Sequence, residues 1–272
     1  MPKRFEVHTL STDFRRATRL VEDPDIPEAS PHLVVVKNHY VGVNATDINM
    51  TNGSYTNEPP PFGCGLEGVG TIVSVGDGIH GVRVGDAVAY RQLGAFAEYV
   101  AVPAQALIRC DSPEPGVLPL LVSGASASLA LEEVGQMKSG ETVLVTAAAG
   151  GTGQFVVQLA RRAGNHVIGT CSSDEKAAYL TQLGGGNECL MSVNHVTAVL
   201  LAKSASLRGF YAPNHSAHYK DHVQKLLALV NNKEIIAGVD KHVFRGLESV
   251  PDAIDYLYAH KNMGKIAVQL EG

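Results

Sequence analysis

A strand, a glycine turn and a helix follow one another without a break in TVLVTAAAGGTGQFVVQLA, residues 142–160, and few architectures accept that order. Aliphatic residues run into Ala147, Ala148 and Ala149, then Gly150, Gly151, Thr152 and Gly153, and a helical pattern begins. Such a turn lets the backbone approach a diphosphate, whose charge the free N–H groups and the positive end of the helix stabilise. Ala149, Gly150, Gly151, Thr152 and Gly153 are therefore the expected cofactor-binding turn, the three glycines supplying the close approach. The alternative is a turn that merely joins a strand to a helix. The context favours the nucleotide, because a second strand, HVIGTCS, ends in GTCSSDEK roughly twenty residues on, where the ribose of a dinucleotide belongs.

The end of that second strand bears on which dinucleotide. An NAD site places an Asp or Glu there for the ribose 2′-hydroxyl, whereas a 2′-phosphate needs neutral donors and a cation. Ser172, Ser173 and Lys176 supply hydroxyls and an ammonium, with Asp174 and Glu175 between them. NADPH is the expected cofactor. The other reading of SSDEK is an N-cap followed by acidic first-turn residues, and both hold together if Ser173 caps while Ser172 and Lys176 serve the phosphate.

Strands alternating with helices of about a dozen residues continue from residue 113 through SDEKAAYLTQLGG, which implies parallel pairing through right-handed crossovers. Before it, HLVVVKNHYVGVNATDI, GVGTIVSVGDGIHGVRVGDAVAY and GAFAEYVAVPAQALI are short β-rich runs separated by Gly, Pro, Asn and Asp. Two domains are expected: a mostly-β unit over residues 1–122, completed by 246–272, and a nucleotide-binding parallel α/β unit over 123–245. The tail VPDAIDYLYAHKNMGKIAVQL reads as one more helix and a final strand.

Composition excludes several function classes. With 22 Lys+Arg against 27 Asp+Glu, a net charge of -5 and no basic stretch beyond pairs, no nucleic-acid footprint is visible. Four cysteines (Cys64, Cys110, Cys171, Cys189) without a CxxC pair point to reduced thiols rather than a disulfide framework. No uninterrupted apolar run reaches membrane-spanning length and MPKRFEVHTL has no secretory core, so no membrane partner is expected. QLEG carries no peroxisomal signal, and the cytosol is the expected compartment.

VGVNATDIN, GLEGVGTIVSVG, VGDAVAY and GAFAEYVAVP, followed by ETVLVTAAAGGTGQFVVQLA, closely resemble the medium-chain dehydrogenase/reductase superfamily. LLVSGASASLAL, VIGTCSSDEK and KSASLRGF place the resemblance in its quinone oxidoreductase and prostaglandin reductase branch, most like the prostaglandin reductase 3 type. It covers nearly the whole chain. It implies a GroES-like catalytic domain, a Rossmann domain, hydride transfer from NADPH to an activated carbon–carbon double bond or a quinone, and a family that commonly forms homodimers.

The resemblance also invites a zinc ion, which needs Cys, His or carboxylate donors converging in a tetrahedron. Where zinc-dependent members place ligands, this chain has Asn44 in VGVNATD, Leu66 in GLEG and the vicinity of Val122 and Ser123; only Glu67 survives. No metal is expected. In HSAHYKDH, His218 and His222 stand at i and i+4 with His215 before them, and a solvated helix start is the expected reading.

Without zinc, other groups must manage the charge that hydride addition pushes onto a carbonyl oxygen, and a proton must reach the α-carbon. The resemblance places Tyr55 over the nicotinamide as leading proton donor, with Asn49 positioning cofactor or carbonyl. Tyr55 packing against Pro59–Phe62, or solvent delivering the proton, remains the alternative. In one place the pattern breaks. GGGNECLMSVNHVTAV bridges in a few residues what the family builds from further strands, and the stretch from Thr142 to Val243 holds about 100 residues against the roughly 150 of a six-stranded doubly wound domain. About two strand–helix units are expected to be missing, which keeps a catalytically weakened nucleotide- or partner-binding relative open as a second reading.

Overall fold

The computed structural model describes residues 1–184 and 210–270. Most of GGGNECLMSVNHVTAV, with Cys189, and all of KSASLRGF but Phe210 lie outside the described residues. The chain divides into two compact units, Met1–Val122 with Val239–Gly272, and Ser123–Gly238.

The first unit is built on β-strands whose Val, Ile and Tyr residues suit a pleated, half-buried surface. Its strands are β1 (Lys3–Val7), β2 (Thr18–Glu22), β3 (Leu33–Val43), β4 (Phe62–Gly63), β5 (Glu67–Val75), β6 (Ala87–Arg91), β7 (Tyr99–Pro103) and β8 (Leu107–Arg109), and, after residue 238, β11 (Phe244–Arg245) and β12 (Ile266–Gln269). A seven-stranded sheet runs β11-β12-β3-β5-β6-β8 with β7 also on β3; β2-β1-β4 form a smaller sheet. One apolar cluster packs Val34, Val36, Ile72, Val88, Tyr90 and Val102, and another packs Phe5, Phe14, Phe96, Ile254 and Ile266.

Two pairings position the site. In the antiparallel β12–β3 ladder Ile266 lies opposite Val43, so Lys265 falls opposite Asn44, one step past the strand end. In the β3–β5 ladder Val41 lies opposite Gly68, which brings Glu67 beside Gly42. A Cβ on Gly42 would stand 2.2 Å from Glu67 Oε1, so only glycine leaves room for that carboxylate. The Thr46–Thr51 helix starts directly beyond Asn44.

The second unit holds the strand–turn–helix. β9 (Thr142–Val145) and β10 (His166–Gly169) pair in parallel, His166 opposite Thr142 and Gly169 opposite Val145. The crossover between them is the Gly153–Arg162 helix, which buries Phe155, Val157, Leu159 and Ala160. Gln154 and Gln158 on its other side exchange hydrogen bonds with the backbone of Gly238 and Ile236 at 2.7–3.0 Å, each amide acting as donor and acceptor. The Asp174–Gln182 and Tyr219–Asn231 helices follow. Among the described residues this unit's sheet has only these two strands. β9 therefore has an unpaired edge there, and Leu144 on it is 48% exposed. Among the described residues one helix, Pro115–Val134, is long and apolar enough by length and composition to cross a membrane, and 61% of its apolar window is buried inside the protein.

Candidate active site

The glycine turn lines a cavity of about 430 Å³ with Leu144, Val145, Thr146, Ala147, Gly150, Gly151, Thr152, Gly153 and Val156. Its shape comes from local bonds. Ala148 N–H donates to Thr170 O at 2.9 Å and Thr170 N–H to Val145 O at 2.8 Å, so the turn is tied to the end of β10. Ala147 takes φ +50° to reverse the chain, and its carbonyl accepts from Gly150 N–H at 3.0 Å. Gly153 is forced by packing: a Cβ there would lie 2.5 Å from Ala147 O and 2.6 Å from Ala148 O. Thr152 caps the helix without a side-chain bond. Ala149, unlike the others, is buried and does not line the cavity.

At the end of β10, Ser173 caps the Asp174–Gln182 helix, its Oγ accepting from Lys176 N–H at 3.3 Å. The capping reading of SSDEK is thus realised at Ser173, while the Ser172 side chain is left exposed.

Tyr55 and Asn49 lie on the first unit, and backbone geometry joins them: Tyr55 N–H donates to Asn49 O at 3.1 Å. Gly53 between them takes φ +82°, a conformation open to glycine at no steric cost. Tyr55 is 43% exposed.

The segments around Asn44, Glu67 and Val122 do converge, though on a cation that sequence reasoning missed. Lys265 is 2% exposed; its ammonium donates to Asn44 Oδ1 at 2.6 Å and forms an ion pair with fully buried Glu67. Asn44 Nδ2 donates to Glu67 Oε1 at 3.0 Å and Val122 N–H to Glu67 Oε2 at 3.0 Å. Asn44 N–H donates to Asp47 Oδ2 at 2.7 Å, while the buried Oδ1 of Asp47 has no partner. Burial pushes the Asp47 carboxyl up to about 7, with Glu67 adding to the rise and the Asn44 N–H and the Lys265 charge opposing it. At the compared positions Asn44, Leu66 and Val122 offer no thiolate or imidazole, and the Glu67 carboxylate is already held by an ammonium.

The histidine cluster needs one correction. His222 does not sit on a solvated helix start; it is buried, and its Nδ1 meets Ser128 Oγ at 2.7 Å because that face of the Tyr219–Asn231 helix packs inward. His215 stacks on Phe210 instead, with ring centroids 5.5 Å apart.

Residues 30–112 match the alcohol dehydrogenase GroES-like domain. A probable quinone oxidoreductase of Leishmania amazonensis is 38% identical over 334 aligned positions, covering 99% of this chain and 98% of that protein. The chain belongs to the medium-chain dehydrogenase/reductase superfamily, in its quinone oxidoreductase and prostaglandin reductase branch. Prostaglandin reductase-3 of Mus musculus is 38% identical over 332 positions, covering 97% of this chain and 88% of that protein. The Escherichia coli quinone oxidoreductase solved with NADPH superposes at a TM-score of 0.81 and 19% identity, over 98% of this chain and 99% of that one, which is a likeness of fold. For this medium-chain reductase the first alignment holds 334 positions, 62 more than its 272 residues.

Proposed function

We propose that this protein is a zinc-independent reductase that uses NADPH to reduce an activated C=C bond or a quinone. The carrying observation is the cavity at the end of β9, floored by the glycine turn at the start of a helix, where a diphosphate finds backbone N–H groups and the positive helix end. Gly150, Gly151, Thr152 and Gly153 would hold the diphosphate, with Ala149 shaping the turn from beneath. Ser172, Ser173 and Lys176 would hold the 2′-phosphate. NADPH, when bound, supplies the hydride. The Tyr55 hydroxyl would hydrogen-bond the substrate carbonyl oxygen and supply the proton that ends on the α-carbon of an enone or on the oxygen of a quinone, and Asn49 would orient the carbonyl or the cofactor. Quinone or enone substrates, without nucleic acid, suit the quinone oxidoreductase and prostaglandin reductase relatives and the net charge of -5.

A second reading rests on the shortened second unit. About two strand–helix units would then be missing from the nucleotide domain, a reading supported by the 62 surplus alignment positions and by the edge of β9 that is unpaired among the described residues, with Leu144 exposed on it. A parallel sheet is ordinarily covered on both faces and flanked by further strands, so such an edge needs a partner, a second copy of the chain included. The retained half carries the diphosphate turn and the 2′-phosphate donors, so nucleotide binding outlasts hydride transfer.

The test compares this chain with one in which the missing strands are restored from a relative, measuring 2′,5′-ADP affinity, oligomeric state and NADPH oxidation with a quinone and an enone. The expected result is comparable 2′,5′-ADP binding and much slower turnover by the 272-residue chain. Equal turnover would overturn the deletion reading; no 2′,5′-ADP binding by either chain would overturn the cofactor assignment.

A further inference from the structure

A lysine is a costly thing to bury. Taking an ammonium and a carboxylate out of water costs several kcal/mol each, recovered only where the geometry satisfies both. Lys265 meets that condition by reaching Asn44 Oδ1 and Glu67, while the Asn44 amide and the Val122 N–H take the remaining lone pairs of Glu67. The three segments so joined are those to which the resemblance assigns the ligands of a catalytic metal. Asp47 adds a second, independent sign of a cation site: it is fully buried, and its Oδ1 is unpartnered.

We infer that the Lys265 ammonium is the built-in cation of this site, closing it to divalent metals and anchoring the start of the Thr46–Thr51 helix through Asn44. An ammonium in hydrogen-bond contact with both oxygen donors leaves no room for a metal ion and repels one in a low-dielectric surrounding. The chain of contacts then runs outward. Asn44 receives the ammonium on its side chain and gives its N–H to Asp47, in the first turn of the helix that carries Asn49. On the same segment Tyr258 Oη donates to Ala45 O at 3.1 Å, so the helix start is pinned from two directions. Lys265 is thus a positioning residue for the loop bearing Asn49 and Tyr55, the charge being supplied by the chain itself. The donors it holds are hard oxygens, which suit an ammonium or a hard cation.

This inference deepens the metal-independent part of the proposed function and rests on it, and the experiment separates the two. Wild-type protein and Lys265→Ala are stripped with a chelator, incubated with Zn²⁺, Mn²⁺ or buffer, and submitted to elemental analysis and thermal unfolding. Lys265→Ala is also unfolded in methylammonium chloride and in tetramethylammonium chloride, which matches ionic strength but has no N–H to donate. Wild type should retain well under one metal per chain with an unchanged Tm. Lys265→Ala should unfold about 10 °C lower, as expected for a broken buried pair. Methylammonium or Mn²⁺ should recover part of that loss and tetramethylammonium none. Stoichiometric zinc in the wild type would overturn the metal-independent reading. A Lys265→Ala protein as stable as wild type, or one that responds equally to both ammonium salts, would overturn the role of Lys265 alone. If Lys265→Ala does not fold, the Lys265→Met/Glu67→Gln pair decides: a folded double variant supports the charge balance, and one as unfolded as Lys265→Met overturns it.

Discussion

Tyr55 donates its backbone N–H to the carbonyl oxygen of Asn49 at 3.1 Å, so the two polar side chains of the candidate catalytic loop share one short, hydrogen-bonded turn. With a 43% exposed phenol at its end, the turn presents a proton donor to solvent or substrate. Replacing Tyr55 with Phe should lower kcat about 100-fold, the size expected for a lost general acid, while NADPH affinity stays unchanged. Steady-state kinetics on the strand-restored protein, with NADPH titrated separately by fluorescence, give both numbers. An unaltered kcat would return Tyr55 to a packing role.

Cofactor choice is tested at the end of β10. Lys176→Glu should weaken NADPH binding by about 1.5 to 3 kcal/mol more than NADH binding, the worth of a charge-assisted hydrogen bond. The Ser173 cap uses the backbone N–H of residue 176, not its side chain, so the helix start should survive the substitution. Equal losses for the two cofactors would remove the 2′-phosphate from this strand end.

Gly153 is where nucleotide binding and folding meet. A methyl group there lies 2.5 Å from Ala147 O and 2.7 Å from Ala148 Cα, both backbone atoms that cannot rotate away. Gly153→Ala should cost about 1 to 3 kcal/mol in urea unfolding and abolish 2′,5′-ADP binding by pushing the turn outward. Gly150→Ala, whose nearest contact would be Ala147 O at 3.2 Å, should be milder in both assays.

Asp47 makes stability depend on pH. Its folded-state value of about 7 lies above the 3.8 of a free side chain, so the folded protein holds the proton more tightly than the unfolded chain. The stabilisation linked to that proton is fully present below about pH 4 and is lost as pH rises through about 7. Asp47→Asn keeps an acceptor for the Asn44 N–H and removes the titration. Relative to wild type it should gain on the order of a few kcal/mol between pH 5 and pH 8, read by urea unfolding at the two values. Parallel losses in both proteins would show that Asp47 is not the group responsible.

What the sequence by itself determined is local along the chain. The strand, glycine turn and helix of residues 142–162 are legible because each depends on neighbours a few positions away, and the same holds for the Ser173 cap and for the helix and final strand of the tail. The β-rich runs were enough for a mostly-β unit, while the GroES-like identity and the doubt about a zinc site came from the family resemblance that their motifs carry. The buried cation was not legible. Lys265 and Asn44 are 221 residues apart, and nothing in NMGKIAVQL marks a lysine whose ammonium will leave water. Only the antiparallel register of β12 on β3, with Ile266 opposite Val43, puts it against Asn44 and Glu67. His222 likewise reads as a surface residue until the Tyr219–Asn231 helix turns it onto Ser128, 94 positions away. Pairing and packing over such separations are settled by which apolar faces must be buried together, and that is a property of the assembled fold rather than of any short stretch of chain.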